Sequence, residues 1–351
     1  MKPEPILIPM LAIHPDRITC YSEVNWIGTR PGKYDQETGE KINSVKVDHL
    51  LKSDKKTNGK VSDQARRKIS KALDYLLLLA NNKQATGQLT GRKFTFRICF
   101  ITLTLPSAQV HADNEIKAKC LNQFIIELVK YYHVRNYLWR AEKQKNGSIH
   151  FHIITDKFIP WSEIRDRWNR IVNKLGYVDR YREELKSWHA GGFRVREDLL
   201  KKWEYKKQFK AYESGKANDF NNPNSTDIHS VRKILDIKKY VSKYMTKNAD
   251  VDKETGEVID ENQVVDGRIW GCNQALSNLK GAQMVVDAET SDAMVLLREQ
   301  SGCKRYHGDY FDVFFIDFRN LSKFGGKLLA DQFFRYLAET FDYSAQLEFA
   351  A

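Results

Sequence analysis

Residues 147–154, GSIHFHII, carry His150 and His152 two positions apart in an otherwise apolar run. Side chains of a strand alternate between its faces, so both imidazoles emerge on one side. A carboxylate beside them would complete a site for a divalent ion, and Glu142 lies just across the polar stretch KNG. The turn decides whether it arrives. A three-residue loop with Gly147 in the left-handed conformation pairs residue 144 with 148 and sets Glu142 opposite His150. A two-residue loop pairs Glu142 with Phe151 and turns the carboxylate away. In the first register, Glu142, His150 and His152 leave room for water or substrate and suit Mg²⁺ or Mn²⁺, although imidazole is an unusual partner for Mg²⁺.

A second chemical pattern lies in YVSKYMTK, residues 240–247. Tyr240 and Tyr244 are four apart on an expected helix, so both phenols project from one side, flanking a stripe of Ile234, Ile237, Val241 and Met245. Lys243 and Lys247 lie beyond. A cation beside a phenol favours the phenolate, the form a tyrosine nucleophile needs. Two helical tyrosines alone are packing residues; beside a histidine pair in a basic protein they become candidate nucleophiles. Asp227 and His229, alternating on the strand before them, are candidates to add or orient a ligand. His189, in WHAGGF, reads as a turn residue and Trp270 as core.

The elements that must position these groups follow from periodicity. SDQARRKISKALDYLLLLA begins with Ser62 as N-cap and repeats apolar residues at helical spacing. FTFRICFITLTLP, residues 94–106, reads as one central strand closed by Pro106. DNEIKAKCLNQFIIELVKYY gives a second amphipathic helix with Ile116, Cys120, Phe124 and Leu128 inward. NYLWRAEKQ and SIHFHII form a hairpin. PWSEIRDRWNRIVNKLG is a helix with Ile164, Trp168 and Ile171 inward. The chain is then polar and basic to about residue 224. There KKWEYKKQFKAYESGKANDFNNPNS interleaves Lys with aromatic residues, which fits either a solvated helix and loop or a surface that holds single-stranded nucleic acid by backbone attraction and base stacking. DIHSV and GRIWG are short strands, YFDVFFIDF a longer one, and KLLADQFFRYLAETF a last helix.

The chain is 351 residues long with 42% hydrophobic residues, enough for a substantial core. A net charge of +12 favours a polyanionic partner, nucleic acid before an anionic membrane surface. No apolar run reaches the length of a membrane span, and MKPEPILIPM is too proline-interrupted for a signal peptide, so a cytoplasmic protein is expected. The five cysteines show no CxxC and read as reduced core thiols.

In order along the chain, FITLTLP, IHFHI and YVSKYMTK resemble the three motifs of HUH endonucleases. The last is particularly similar to the two-tyrosine rolling-circle initiators of small icosahedral single-stranded DNA phages. The resemblance runs from about residue 94 to 248. It implies an α+β sandwich: a central antiparallel sheet bearing the histidine pair, helices packed on it, and the tyrosine helix across the metal face. It also implies an enzyme that nicks one strand at an origin, stays linked to the 5′ phosphate through a tyrosine, and later rejoins the ends without ATP. Residue by residue, His150 and His152 match the metal pair, Tyr240 and Tyr244 the nucleophiles, and Lys243 the lysine between them; Glu142 is the expected third ligand. The implied partners are single-stranded origin DNA and, in a bacterial host cytoplasm, a host helicase and DNA polymerase. The sequence contains no GxxxxGK[ST] motif for unwinding. Residues 1–93 and 249–351 are then elaborations on an endonuclease core at 94–248, the last a candidate for DNA recognition. A relaxase or transposase of the same superfamily would share this chemistry. In a non-catalytic, basic single-stranded DNA-binding accessory protein, the histidines and tyrosines would be structural only.

Overall fold

The computed structural model describes residues 4–27, 61–80, 83–86, 91, 93–96, 98–201, 203–230, 245, 264–317, 320–324 and 326–341. The fold is α+β, with two five-stranded antiparallel sheets. The chain divides into two compact units, Met1–Lys55 with Ser277–Ala351, and Lys56–Leu276. The expected endonuclease core at 94–248 falls inside the second.

The chain enters the first unit with β1 (Glu4–His14) and β2 (Arg17–Ile27), a hairpin in register from Glu4 opposite Ile27 to His14 opposite Arg17. Leu11, Ile13 and Ile18 are its buried residues nearest the turn.

The second unit opens with α1 (Asp63–Leu79), capped by Ser62, whose hydroxyl accepts from the Ala65 amide at 3.2 Å. Ile69, Leu73 and Leu76 form its buried stripe. The run expected as one strand over 94–106 is two. β4 (Lys93–Phe96) pairs with β3 (Lys83–Thr86) in a separate ribbon, and β5 (Cys99–Leu103) enters the main sheet. A run apolar at nearly every position has no alternation to mark where pairing changes partner. The helical run that follows is α2 (Asp113–Ile116), a π-turn over Lys117–Leu121, and α3 (Asn122–Tyr132). Then come the hairpin β6 (Tyr137–Lys143) and β7 (Ile149–Thr155), α4 (Trp161–Asn173), α5 (Tyr177–Trp188), α6 (Tyr205–Ala217), β8 (Thr226–Ser230), β9 (Trp270–Cys272) and the short α7 (Gln274–Ser277). The sheet order is β8-β5-β7-β6-β9.

One face of this sheet is a closed core. Ile101, Leu103, Phe151 and Ile153 are fully buried on it. The Trp168 ring of α4 meets Phe151 and Phe124 edge-on at centroid distances of 6.1 and 5.7 Å, while its indole N–H donates to Thr104 O at 2.7 Å. Truncating Trp168 to Ala would cost roughly 3–5 kcal/mol. The other face carries the alternate residues of the same strands, including the histidine pair.

The chain returns to the first unit through β10 (Ala282–Val285), α8 (Ala288–Ser301), β11 (Lys304–His307), β12 (Phe311–Phe315), α9 (Leu321–Phe324) and α10 (Gly326–Phe341), giving a sheet ordered β10-β1-β2-β12-β11. No helix among the described residues is long and apolar enough to cross a membrane.

Candidate metal centre

The β6–β7 hairpin turns through Lys145, Asn146 and Gly147. Gln144 N donates to Ser148 O at 2.8 Å, Gly147 N to Gln144 O at 2.8 Å, and Gly147 has φ +79°. A side chain at 147 would be strained in that left-handed conformation. The turn sets Glu142 opposite His150 and Arg140 opposite His152. Glu142 Oε2 lies 3.4 Å from His150 Nε2 and 3.7 Å from His152 Nε2, and the imidazole rings are 4.7 Å apart. One donor atom from each of the three residues falls within 4.8 Å of the others, a set that could hold a metal ion.

The chemistry of the donors fits a cation. Glu142 Oε1 and His150 Nδ1 are buried and have no hydrogen-bond partner among the described residues, and a buried carboxylate oxygen left without a partner is costly unless a ligand satisfies it. Burial alone would raise the Glu142 carboxyl, but the bonds to His150 and His152 and their charge outweigh it and hold it at about 2. Burial pushes His152 below the ordinary histidine value, with Glu142 opposing. Both effects favour a carboxylate beside a neutral imidazole, the ligating forms. Arg140, 3% exposed, donates to Ile269 O at 3.3 Å; burial pushes its guanidinium down to about 10, so it remains a cation beside the site.

Neighbouring strands and loops brace this hairpin. Thr102 on β5 is opposite His152, its hydroxyl 3.1 Å from Nδ1, while the Phe100 ring stacks on the imidazole at 5.3 Å. Beyond β5, Gln109 accepts from the amide of Ile149 at 2.6 Å and donates to Asp113 Oδ1 at 2.7 Å. Asp113 also accepts from Lys143 at 2.7 Å and from the amide of Asp266 at 3.1 Å. Burial would raise the Asp113 carboxyl, yet these donors together hold it below its ordinary value. Lys143 and Ile149 adjoin Glu142 and His150, so both hairpin ends are tied at the ligand positions.

Tyr240, Lys243 and Tyr244 lie outside the described residues; of their segment only Met245 is described, and it is helical and buried. Asp227 is exposed and stands in the cross-strand row of Thr102 and His152; the His229 side chain lies outside the described residues. His189 sits in a turn, its Nδ1 accepting from the Arg194 amide at 3.1 Å. Trp270 is half-buried opposite Arg140. Sequence reasoning missed Thr102, Arg140, Gln109 and Asp113. Arg140 alone carried a local signal, being two residues before Glu142 on the same strand face.

Residues 98–249 match the family model of the replication-associated protein ORF2. The match covers a little under half of the chain and spans β5, the metal hairpin and the YVSKYMTK segment. It supports a replication initiator of small single-stranded DNA elements. No curated protein and no solved structure matches the chain.

Proposed function

We propose that the protein is a metal-dependent, origin-specific single-stranded DNA endonuclease and strand transferase that initiates rolling-circle replication. The observation that carries this reading is the convergence of Glu142, His150 and His152 on the central sheet, inside the span that matches a replication-associated family. His150, His152 and Glu142 hold a divalent cation, Mg²⁺ or Mn²⁺. Such an ion offsets charge on the oxygens of the scissile phosphate and orients it for in-line displacement. Arg140 adds a buried positive charge, and Thr102 and Phe100 hold His152 in place.

Tyr240 and Tyr244 are the nucleophiles, a role that rests on the resemblance of YVSKYMTK to the two-tyrosine initiators. The phenol oxygen bonds to phosphorus and the bond to the 3′ oxygen breaks. The leaving oxygen takes a proton as the phenol gives one up, so a 3′ hydroxyl and a 5′ phosphotyrosine result. Lys243 favours the phenolate. One phosphodiester replaces another, so ATP is not consumed. With two tyrosines, one can hold the 5′ end while the second cuts the regenerated origin, and the free 3′ hydroxyl then reseals the circle. Host helicase and polymerase supply unwinding and synthesis.

The test is incubation of the full chain with Mn²⁺ and a panel of labelled single-stranded fragments covering its replicon. A denaturant-resistant protein adduct on the 5′ side of one sequence is expected. Tight binding to every fragment without cleavage of any would leave a binding protein instead.

A further inference from the structure

The stretch between α4 and β8, read from the sequence as polar and basic, contains α5 and α6, and its aromatic residues do not all go inside. Phe193, Tyr212 and Phe220 gather around His189 at ring distances of 5.9, 4.7 and 6.1 Å. Trp203, Tyr205 and Phe209 instead stay 48%, 57% and 39% exposed within seven consecutive residues. Between residues 201 and 216 stand six lysines and two glutamates. Lys206, Lys207 and Lys210 are exposed, with no acidic partner among the described residues. A merely solvated helix accounts for the lysines; it does not account for three large rings left in water beside them.

We infer that Trp203, Tyr205 and Phe209, with the α6 lysines, form a docking surface for single-stranded DNA, the bases stacking on the rings and the phosphates meeting Lys206, Lys207 and Lys210. The surface is built rather than loose. Gln208 is buried on the inner side of α6; its Oε1 accepts from the Arg196 amide at 2.8 Å, and its Nε2 donates to Arg196 O at 3.0 Å and Trp203 O at 2.9 Å. Phe193 braces Tyr205 and Phe209 edge-on at 5.3 and 5.1 Å. Trp188 adds a ring with the Arg194 guanidinium 4.1 Å above it. Every base has a π-face and every nucleotide a phosphate, so such a surface holds a strand without reading its sequence. It is also anchored to the metal hairpin. Buried Tyr177 at the start of α5 accepts from the amides of Val110 and His111 at 3.4 and 3.3 Å, in the loop whose Gln109 bonds the amide beside His150.

This inference deepens the proposed function, naming how a strand is held on the unit that cuts it, and its test separates the two. The full chain is titrated with a labelled 20-mer of oligothymidylate and, separately, a 20-base-pair duplex, by fluorescence anisotropy at several salt concentrations. Trp203, which makes no ring contact with another aromatic among the described residues, is changed alone (Trp203→Ala), and the lysines together (Lys206→Gln/Lys207→Gln/Lys210→Gln), because Tyr205 and Phe209 also support the local fold. Trp203→Ala is expected to weaken the 20-mer about fivefold or more. The lysine variant is expected to weaken it at least about tenfold and lower the slope of log affinity against log salt by about 2, the three lost contacts at about 0.7 each. Unchanged affinity and slope in both variants, equal affinity for the duplex, or no binding by the parent chain would overturn the surface. Loss of binding in the α6 variants while the parent chain binds but never cleaves would keep the surface and sink the nuclease. Cleavage by the parent chain with unaltered binding in both variants would do the reverse.

Discussion

The Thr102 hydroxyl lies 3.1 Å from Nδ1 of His152, directly across the β5–β7 ladder. An imidazole can ligate through Nε2 only if Nε2 is unprotonated, so the proton must sit on Nδ1 and be donated to the threonine oxygen. Thr102 is thus a positioning residue that selects the ligating tautomer. Thr102→Val keeps the shape and removes the acceptor; Mn²⁺ affinity, measured by calorimetry, is expected to fall about tenfold. Thr102→Ser should restore it. Equal affinity in all three proteins would show that the contact is only packing.

Removing a ligand should separate chemistry from binding. His150→Ala, His152→Ala and Glu142→Gln are each expected to abolish Mn²⁺-dependent cleavage. Affinity for a nonspecific oligonucleotide should stay within about twofold, since phosphate contacts elsewhere supply it. Chelation of the parent protein with EDTA should reproduce the same split, and added Mn²⁺ should reverse it. Full cleavage by either histidine variant would remove the pair from the mechanism.

A pH dependence of stability follows from a site remote from the chemistry. Glu127 on α3 accepts from Arg167 and Arg170 at 2.9 and 2.6 Å. Burial would raise its carboxyl, but the bonds to Arg170, Gln123 and Arg167 hold it at about 2, against an ordinary 4.5. The folded state therefore binds the proton less tightly than the unfolded chain. The stabilisation is fully present above pH 4.5 and is lost as pH falls toward 2. With Arg170 half exposed to screening, its size is on the order of 1–2 kcal/mol. Melting temperatures of the parent and Glu127→Gln should differ most at about pH 5–7 and converge near pH 2–3; a gap constant over that range would contradict the linkage.

What could be read from the sequence was what lies close along the chain. The Glu142–His150 register depends on three loop residues, and Gly147 was the visible cue that chose it. The stripes Ile116–Phe124 and Ile164–Trp168 follow from helical spacing alone. Thr102 could not be assigned beside His152, because fifty residues separate them and pairing between distant strands leaves no local pattern. The break between β4 and β5 hid in a uniformly apolar run. In α5 and α6 the aromatics lie among lysines, so no clean apolar stripe distinguished a helix with exposed rings from a polar loop. Asp113 looked like a helix N-terminal acid; its role as acceptor for Lys143 and the Asp266 amide emerges only when three distant segments meet.

The central claim is that a tyrosine of YVSKYMTK attacks a phosphate held at the Glu142, His150 and His152 site, and adduct mapping tests it most directly. The parent chain, Tyr240→Phe, Tyr244→Phe and the double variant are incubated with an origin oligonucleotide and Mn²⁺, digested, and the DNA-linked peptide is identified by mass spectrometry. Loss of the hydroxyl alone keeps each ring's packing, so lost chemistry is not a cavity effect. The account predicts adducts at Tyr240 and at Tyr244 in the parent. Each single variant should form an adduct at its remaining tyrosine and fail in repeated rounds; the double variant, and the parent in EDTA, should form none. An adduct in the double variant, or undiminished adduct in EDTA, would contradict it.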